Sequence, residues 1–176
     1  MLRTATRMAL LSKIVYDDYD SINSKLLKLG IKDWFWFDNE GTQAILIKTD
    51  KELIICFRGT EPTQMADVLS DLKAWPKRSR EKGLVHFGFA QALDRVYDKI
   101  MEQIQRLDMS KIEKTICTGH SLGAALATLM ASRIDAEELY TYGSPRVGTR
   151  SFVKEMNNDS IKHHRFVNNN DIVTAV

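Results

Sequence analysis

The chain has only two cysteines in 176 residues, Cys56 and Cys117, so it is not a disulfide-stapled scaffold. Each lies within an apolar, strand-like run. They read as buried free thiols of a reducing compartment, although their spacing leaves a bridge open. No apolar run reaches the length needed to cross a membrane. The N-terminus, Met1-Leu2-Arg3-Thr4-Ala5, lacks the long apolar stretch of a signal peptide. Both absences point to a cytoplasmic protein; a secreted protein with its leader already removed would read the same. An excess of one charge is missing too, with 25 Lys and Arg against 23 Asp and Glu and a net charge of +2. The densest basic run, Lys77-Arg78-Ser79-Arg80, is followed at once by Glu81. It reads as a solvated loop, so no nucleic-acid partner is expected. Repeats, low-complexity tracts and linkers are absent. At 44% hydrophobic and 27% charged residues, the composition suits a single domain with a real core over residues 1–176.

Against that plain background one pentapeptide stands out, Gly119-His120-Ser121-Leu122-Gly123. An apolar run, Lys114 to Thr118, precedes it. A run of small helix formers, Ala124 to Ala131, follows. Strand, tight turn and helix form the context in which G-x-S-x-G makes a nucleophile elbow. The turn holds serine in a strained backbone conformation, and glycines on either side remove side-chain bulk where the chain doubles back. The helix that starts there directs free N–H groups at the same spot. A serine so placed suits attack on an ester or other acyl carbonyl. Glycines four apart, with no G-x-G and no following Gly-Lys-Ser/Thr, match neither the dinucleotide nor the P-loop pattern. A glycine-rich turn that merely packs tightly remains the plain alternative.

The remaining pattern alternates. Residues 6–29 read as two helical pieces broken near Asp17 to Asp20. Trp34 to Phe37 reads as a strand ending in the turn Asp38-Asn39-Glu40-Gly41. Gln43 to Lys48 and Leu53 to Phe57 read as a hairpin turning at Asp50-Lys51. Phe89, Leu93, Val96, Tyr97, Ile100, Ile104 and Leu107 recur at spacings of three and four, which predicts a helix over 88–107. Strands are expected at 114–118, 139–142 and 162–168, and a helix at 122–133. Alternating helix and strand after residue 90 imply a largely parallel sheet, and antiparallel strands at its front edge make it mixed.

Five short blocks now fall in order: Phe57-Arg58-Gly59-Thr60, Val85-His86-Phe87-Gly88-Phe89, Thr118 to Ala125, Tyr142-Gly143-Ser144-Pro145-Arg146-Val147-Gly148, and Asn170-Asp171-Ile172-Val173. Together they resemble the class 3 (fungal-type) lipases of the α/β-hydrolase superfamily. The resemblance implies an α/β-hydrolase core, a mostly parallel mixed sheet with helices on both faces. It implies hydrolysis of lipid-like acyl esters, at a lipid–water interface, without a metal or organic cofactor. It matches Ser121 to the nucleophile and Asp171 to the carboxylate that orients the catalytic histidine. It matches Thr60 and the N–H of Leu122 to the oxyanion hole. Without the resemblance, Asp171 and Thr60 read equally well as turn residues. Arg58, His86 and Arg146 are expected to be structural, and His120, the second residue of the elbow, to point away from the serine's cleft. Met65, Val68, Leu69 and Leu72 form one apolar helical face behind a possible N-cap at Thr63. The family places a lid there, where periodicity alone describes an ordinary surface helix.

The family's catalytic histidine lies well beyond the aspartate, but only five residues follow Asp171 here. None of the four histidines, His86, His120, His163 and His164, matches that position. The main expectation is a truncated domain, with a companion C-terminal segment carrying the histidine. A catalytically inactive binding or signalling module on the same fold, and a local histidine in altered geometry, are the alternatives.

Overall fold

The computed structural model describes residues 2–59, 76–78, 80, 83–158 and 160–167. Two helices come first, α1 (Leu2–Ile14) and α2 (Tyr19–Lys28). The break between them falls where it is expected, because Asp18 caps α2 by accepting the Ser21 N–H at 3.0 Å. Strands β1 (Asp33–Asn39), β2 (Thr42–Lys48) and β3 (Glu52–Phe57) follow as an antiparallel meander. Glu40 and Gly41, with φ of 48° and 78°, make the two-residue β1–β2 turn, whose positive dihedrals match the twist of the flanking strands. The short strands β4 (Pro76–Arg78) and β5 (Leu84–His86) pair with each other and lead into α3 (Phe87–Gln105). Then come β6 (Lys114–His120), α4 (Leu122–Ile134), β7 (Glu138–Tyr142), α5 (Arg150–Asn158) and β8 (Lys162–Phe166).

The main sheet runs β1-β2-β3-β6-β7-β8. Pairing is antiparallel from β1 to β3 and parallel from β3 to β8. This is the mixed, mostly parallel sheet of an α/β-hydrolase core. Residues Leu53 to Phe57 and Ile116 to Gly119 are buried on both faces of the sheet, which is why these stretches read as unbroken apolar runs instead of alternating ones. One face packs Leu46, Ile55 and Cys117 against α3 and α4. The other packs Ile45, Ile54, Cys56 and Ile116 against Met8 and Leu11 of α1, Val15 just after it, and Ile22 and Leu26 of α2.

The two thiols thus point to opposite faces of adjacent strands, with Cys56 level with Thr118 and Cys117 level with Ile55. They cannot bridge without turning a strand over, which closes the disulfide alternative. Their being free therefore carries no information about the compartment. Desolvation pushes the Cys56 thiol up to about 12, so it stays protonated and inert. Helix α5 has no counterpart in the sequence reading. It is short and mostly polar, and among its described side chains only Phe152 is buried.

Candidate active site

Parallel β6 ends at the carboxyl edge of the sheet and α4 begins at once, so residue 121 must reverse the chain within one peptide. Ser121 does so with φ 55° and ψ −126°, one of three non-glycine residues with positive φ among those described. Such a conformation costs about 1–3 kcal/mol and persists only where the surroundings impose it. Here the Ser121 N–H donates to the Tyr142 carbonyl at 2.9 Å, and the Ser121 carbonyl accepts from Ala124 and Ala125 at 3.0 and 3.3 Å. The residue is 2% exposed.

The flanking glycines are required by close backbone approach. A Cβ on Gly119 would meet the Gly123 carbonyl oxygen at 2.3 Å; one on Gly123 would meet the Phe57 carbonyl oxygen at the same distance. Gly59 is under the same constraint, with the His120 carbonyl oxygen 2.5 Å from its virtual Cβ. Three chain segments, the ends of β3 and β6 and the start of α4, thus converge within backbone contact. The N–H groups of Leu122 and Gly123 precede the first intrahelical bonds and stand outside the helical ladder, at the positive end of the α4 dipole.

His120 turns the other way. Its Nδ1 lies 3.1 Å from the Tyr16 hydroxyl, just past α1. Arg58 sits over the Tyr16 ring at 5.6 Å and donates to Gln43 Oε1 at 2.8 Å. His86 packs its ring against Phe89 with centroids 4.5 Å apart, and its backbone N–H donates to the Val147 carbonyl. These residues hold the loops around the edge together, as expected for Arg58 and His86. Arg146 is exposed and lines a cavity of about 350 Å³ with Val147, Phe152, Met156, Ile161 and His163; Ser121 is not part of that lining.

His163 and His164 sit too far down β8 to serve Ser121. They lie level with Leu139 and Tyr140, three and two residues before Tyr142, or about 10 and 7 Å down the strand direction. His164 stacks on Tyr140 with centroids 4.6 Å apart. His163 is an exposed residue, yet its Nε2 lies 2.9 Å from Oγ1 of the buried Thr141. Desolvation, with Arg165 and His164 nearby, pushes it down to about 4, which makes it a weak base at neutral pH. Thr60, Asp171 and the lid positions Met65, Val68, Leu69 and Leu72 lie outside the described residues. Among the described residues no group of three or more His, Cys, Asp or Glu is arranged to hold a metal ion. Nor is any described helix long and apolar enough to cross a membrane.

The family model for lipase (class 3) matches residues 54–176, most of the chain. The chain belongs to the class 3 lipase family. Toxin TseL of Vibrio cholerae is 41% identical over 126 residues, covering 66% of this chain and 19% of that protein. The chloroplastic phospholipase A(1) DAD1 of Arabidopsis thaliana is 31% identical over 150 residues, covering 72% of this chain and 34% of that one. The chain therefore spans about a third of the length of one of these relatives and about a fifth of the other. Lipase II from Rhizopus niveus superposes with a TM-score of 0.82 at 23% identity, over 99% of this chain and 74% of its own. That likeness shows the α/β-hydrolase fold. Within this class 3 lipase framework, Tyr16 is the neighbour of the elbow that the sequence reading missed. Its contact with His120 spans 104 residues, and no local pattern announces it.

Proposed function

We propose that this chain is the nucleophile-bearing part of a serine carboxylic-ester hydrolase acting on lipid-like acyl esters. The observation that carries the reading is Ser121 held at positive φ between glycines that admit no side chain, in a chain of the class 3 lipase family. Ser121 Oγ adds to the ester carbonyl carbon while its proton passes to a histidine. The carbonyl oxygen becomes an oxyanion and accepts from the Leu122 N–H and from Thr60. Collapse of the tetrahedral adduct expels the alcohol, which takes the proton back from the histidine. Water then repeats the sequence on the acyl-enzyme, releasing the carboxylic acid and restoring Ser121.

Asp171 orients the histidine, and a companion C-terminal segment supplies it. This assignment is supported by the placement of His120, His163 and His164, which are engaged with Tyr16, Thr141 and Tyr140. Met65, Val68, Leu69 and Leu72 form the inner face of a lid over the acyl cleft. Similarity to a phospholipase supports a lipid ester as substrate. The relatives lend no support to a cytoplasmic address, since one is a toxin and another chloroplastic.

Intact-protein mass spectrometry after treatment with a fluorophosphonate tests the nucleophile. An adduct on the wild type and none on Ser121→Ala is the expected result. An adduct that survives in Ser121→Ala, or no adduct even in the presence of the C-terminal companion, refutes the assignment. For the lid, Met65→Ser with Leu69→Ser is expected to depress turnover of long-chain emulsions relative to short soluble esters.

A further inference from the structure

Helix α1 and the turn that follows it have two working faces. Met8, Leu11 and Val15 are buried against the sheet. On the other side Leu10, Lys13, Ile14 and Asp17 recur at i, i+3, i+4 and i+7. They line a cleft of about 340 Å³ whose far wall is Lys25, Lys28 and Leu29, from α2 and its C-cap. That volume is at the lower end of small-molecule sites. Ile14 is 4% exposed at its base, while Leu10 and Leu29 remain 41% and 46% exposed at its walls. Two packed helices ordinarily close such a seam with apolar side chains. Here lysine stems line it, with their charged heads free to reach the rim.

The charges are unbalanced. Lys25 is paired with Asp17 at 2.6 Å, which ties the inter-helix turn to α2. Lys13 and Lys28 make no ion pair or hydrogen bond among the described residues, and no other carboxylate lines the cleft. An apolar trough beneath two uncompensated ammonium groups matches one kind of ligand: a single alkyl chain with one anionic head. An uncharged chain would leave the ammonium groups unused, and a small inorganic anion would leave the leucines in water. We propose that the α1–α2 cleft binds a long-chain carboxylate, with its chain on Leu10, Ile14 and Leu29 and its head at Lys13 and Lys28. The choice of carboxylate over another anionic head rests on the hydrolase reading, since a fatty acid is what that reaction releases. Ser121 is not among the residues that line the cleft.

The test is calorimetric titration of dodecanoate, kept below its micelle-forming concentration, into the Ser121→Ala protein. One saturable site is expected. Lys13→Glu with Lys28→Glu, and separately Leu10→Asn with Leu29→Asn, are each expected to weaken it at least about tenfold. Dodecanol and acetate are expected to bind at least about tenfold more weakly than dodecanoate for the same reasons. All four altered side chains are exposed, and matching circular dichroism confirms that the variants are folded. Dodecanoate binding that survives in both double variants places it elsewhere and overturns the proposal, as does no binding at all. Attachment to anionic phospholipid vesicles without saturation by monomeric dodecanoate overturns it in favour of a membrane-docking face. Fluorophosphonate labelling of Ser121 is read separately, so loss of the cleft and loss of the hydrolase reading are distinguishable.

Discussion

The two ends of strand β6 are built by opposite means. At the amino end Lys114 lies between Glu138 at 3.0 Å and Glu52 at 3.3 Å. Arg7 of α1 pairs with Glu52 from the other side, and the Tyr140 hydroxyl donates to Glu138 at 2.8 Å. At the carboxyl end the segments meet by direct backbone approach. Gly119, Gly123 and Gly59 let backbone meet backbone, and Ser121 carries a strained dihedral. One end joins its strands with long side chains that have room to adjust. The other joins them with atoms that have none. Under the proposed function position matters most at the second end, because a nucleophile displaced by an ångström loses its reaction geometry. Charge tolerates displacement better, so it sits where only cohesion is required.

The sharpest way to break this contrast is Gly123→Ala. The added methyl would sit 2.3 Å from the Phe57 carbonyl oxygen, a backbone atom that cannot step aside. Destabilisation of about 3 kcal/mol or more is expected, despite alanine's better helix propensity. Urea denaturation measures it, and a cost below about 1 kcal/mol would show that the β3–α4 approach is elastic after all.

Lys114→Met probes the other end. The side chains of Lys114, Glu52 and Glu138 are 29%, 15% and 17% exposed, so partial screening reduces the cost from that of a fully buried pair to about 1–2 kcal/mol. The pH dependence has a definite sign. Desolvation raises the Glu138 pKa, but the Tyr140 hydroxyl and Lys114 outweigh it, and the net value falls below 4.5. Desolvation likewise lowers the Lys114 pKa, but Glu138 and Glu52 outweigh it, and the net value rises above 10.5. The contribution is therefore complete between pH 4.5 and 10.5. It is lost as pH falls through the lowered Glu138 value or rises through the raised Lys114 value. The variant is expected to lose less stability than the wild type between pH 5 and 3; equal acid sensitivity would remove this network from the account.

Ser121→Gly is a smaller change with two readouts. Glycine relieves the positive φ but adds freedom to the unfolded chain, so a net gain of about 1 kcal/mol is expected. Fluorophosphonate labelling is expected to vanish in the same variant. Stability rising as reactivity disappears would mark the strain as a cost of holding a hydroxyl there.

These ends were not equally legible from the residues alone. The elbow is local: strand, glycine, serine, glycine and helix follow one another, so the steric logic can be read in a line. Asp18 as an N-cap and Glu40-Gly41 as a tight turn are local in the same way. The amino-end network joins Arg7, Glu52, Lys114 and Glu138, which only the parallel register brings together, and charge on its own resembles any solvated surface. Helix α5 stayed hidden because Phe152 and Met156 give too brief an apolar period. The cysteines read correctly as buried, but which face each occupies depends on the β3–β6 register.

The mildest test concerns the contact that links α1 to the elbow. Tyr16→Phe keeps the ring beneath Arg58 and removes the hydroxyl 3.1 Å from His120 Nδ1. A partly buried hydrogen bond of this kind contributes about 0.5–1.5 kcal/mol. A loss of that size in urea denaturation is expected, with the rate of fluorophosphonate labelling unchanged, because His120 faces α1 and the reversal at Ser121 is fixed by backbone contacts. Slower labelling at unchanged stability would mean that the hydroxyl orients the elbow as well as anchoring it. The carboxyl end would then depend on a side-chain hydrogen bond too, and the contrast between the two ends of β6 would narrow to one of degree.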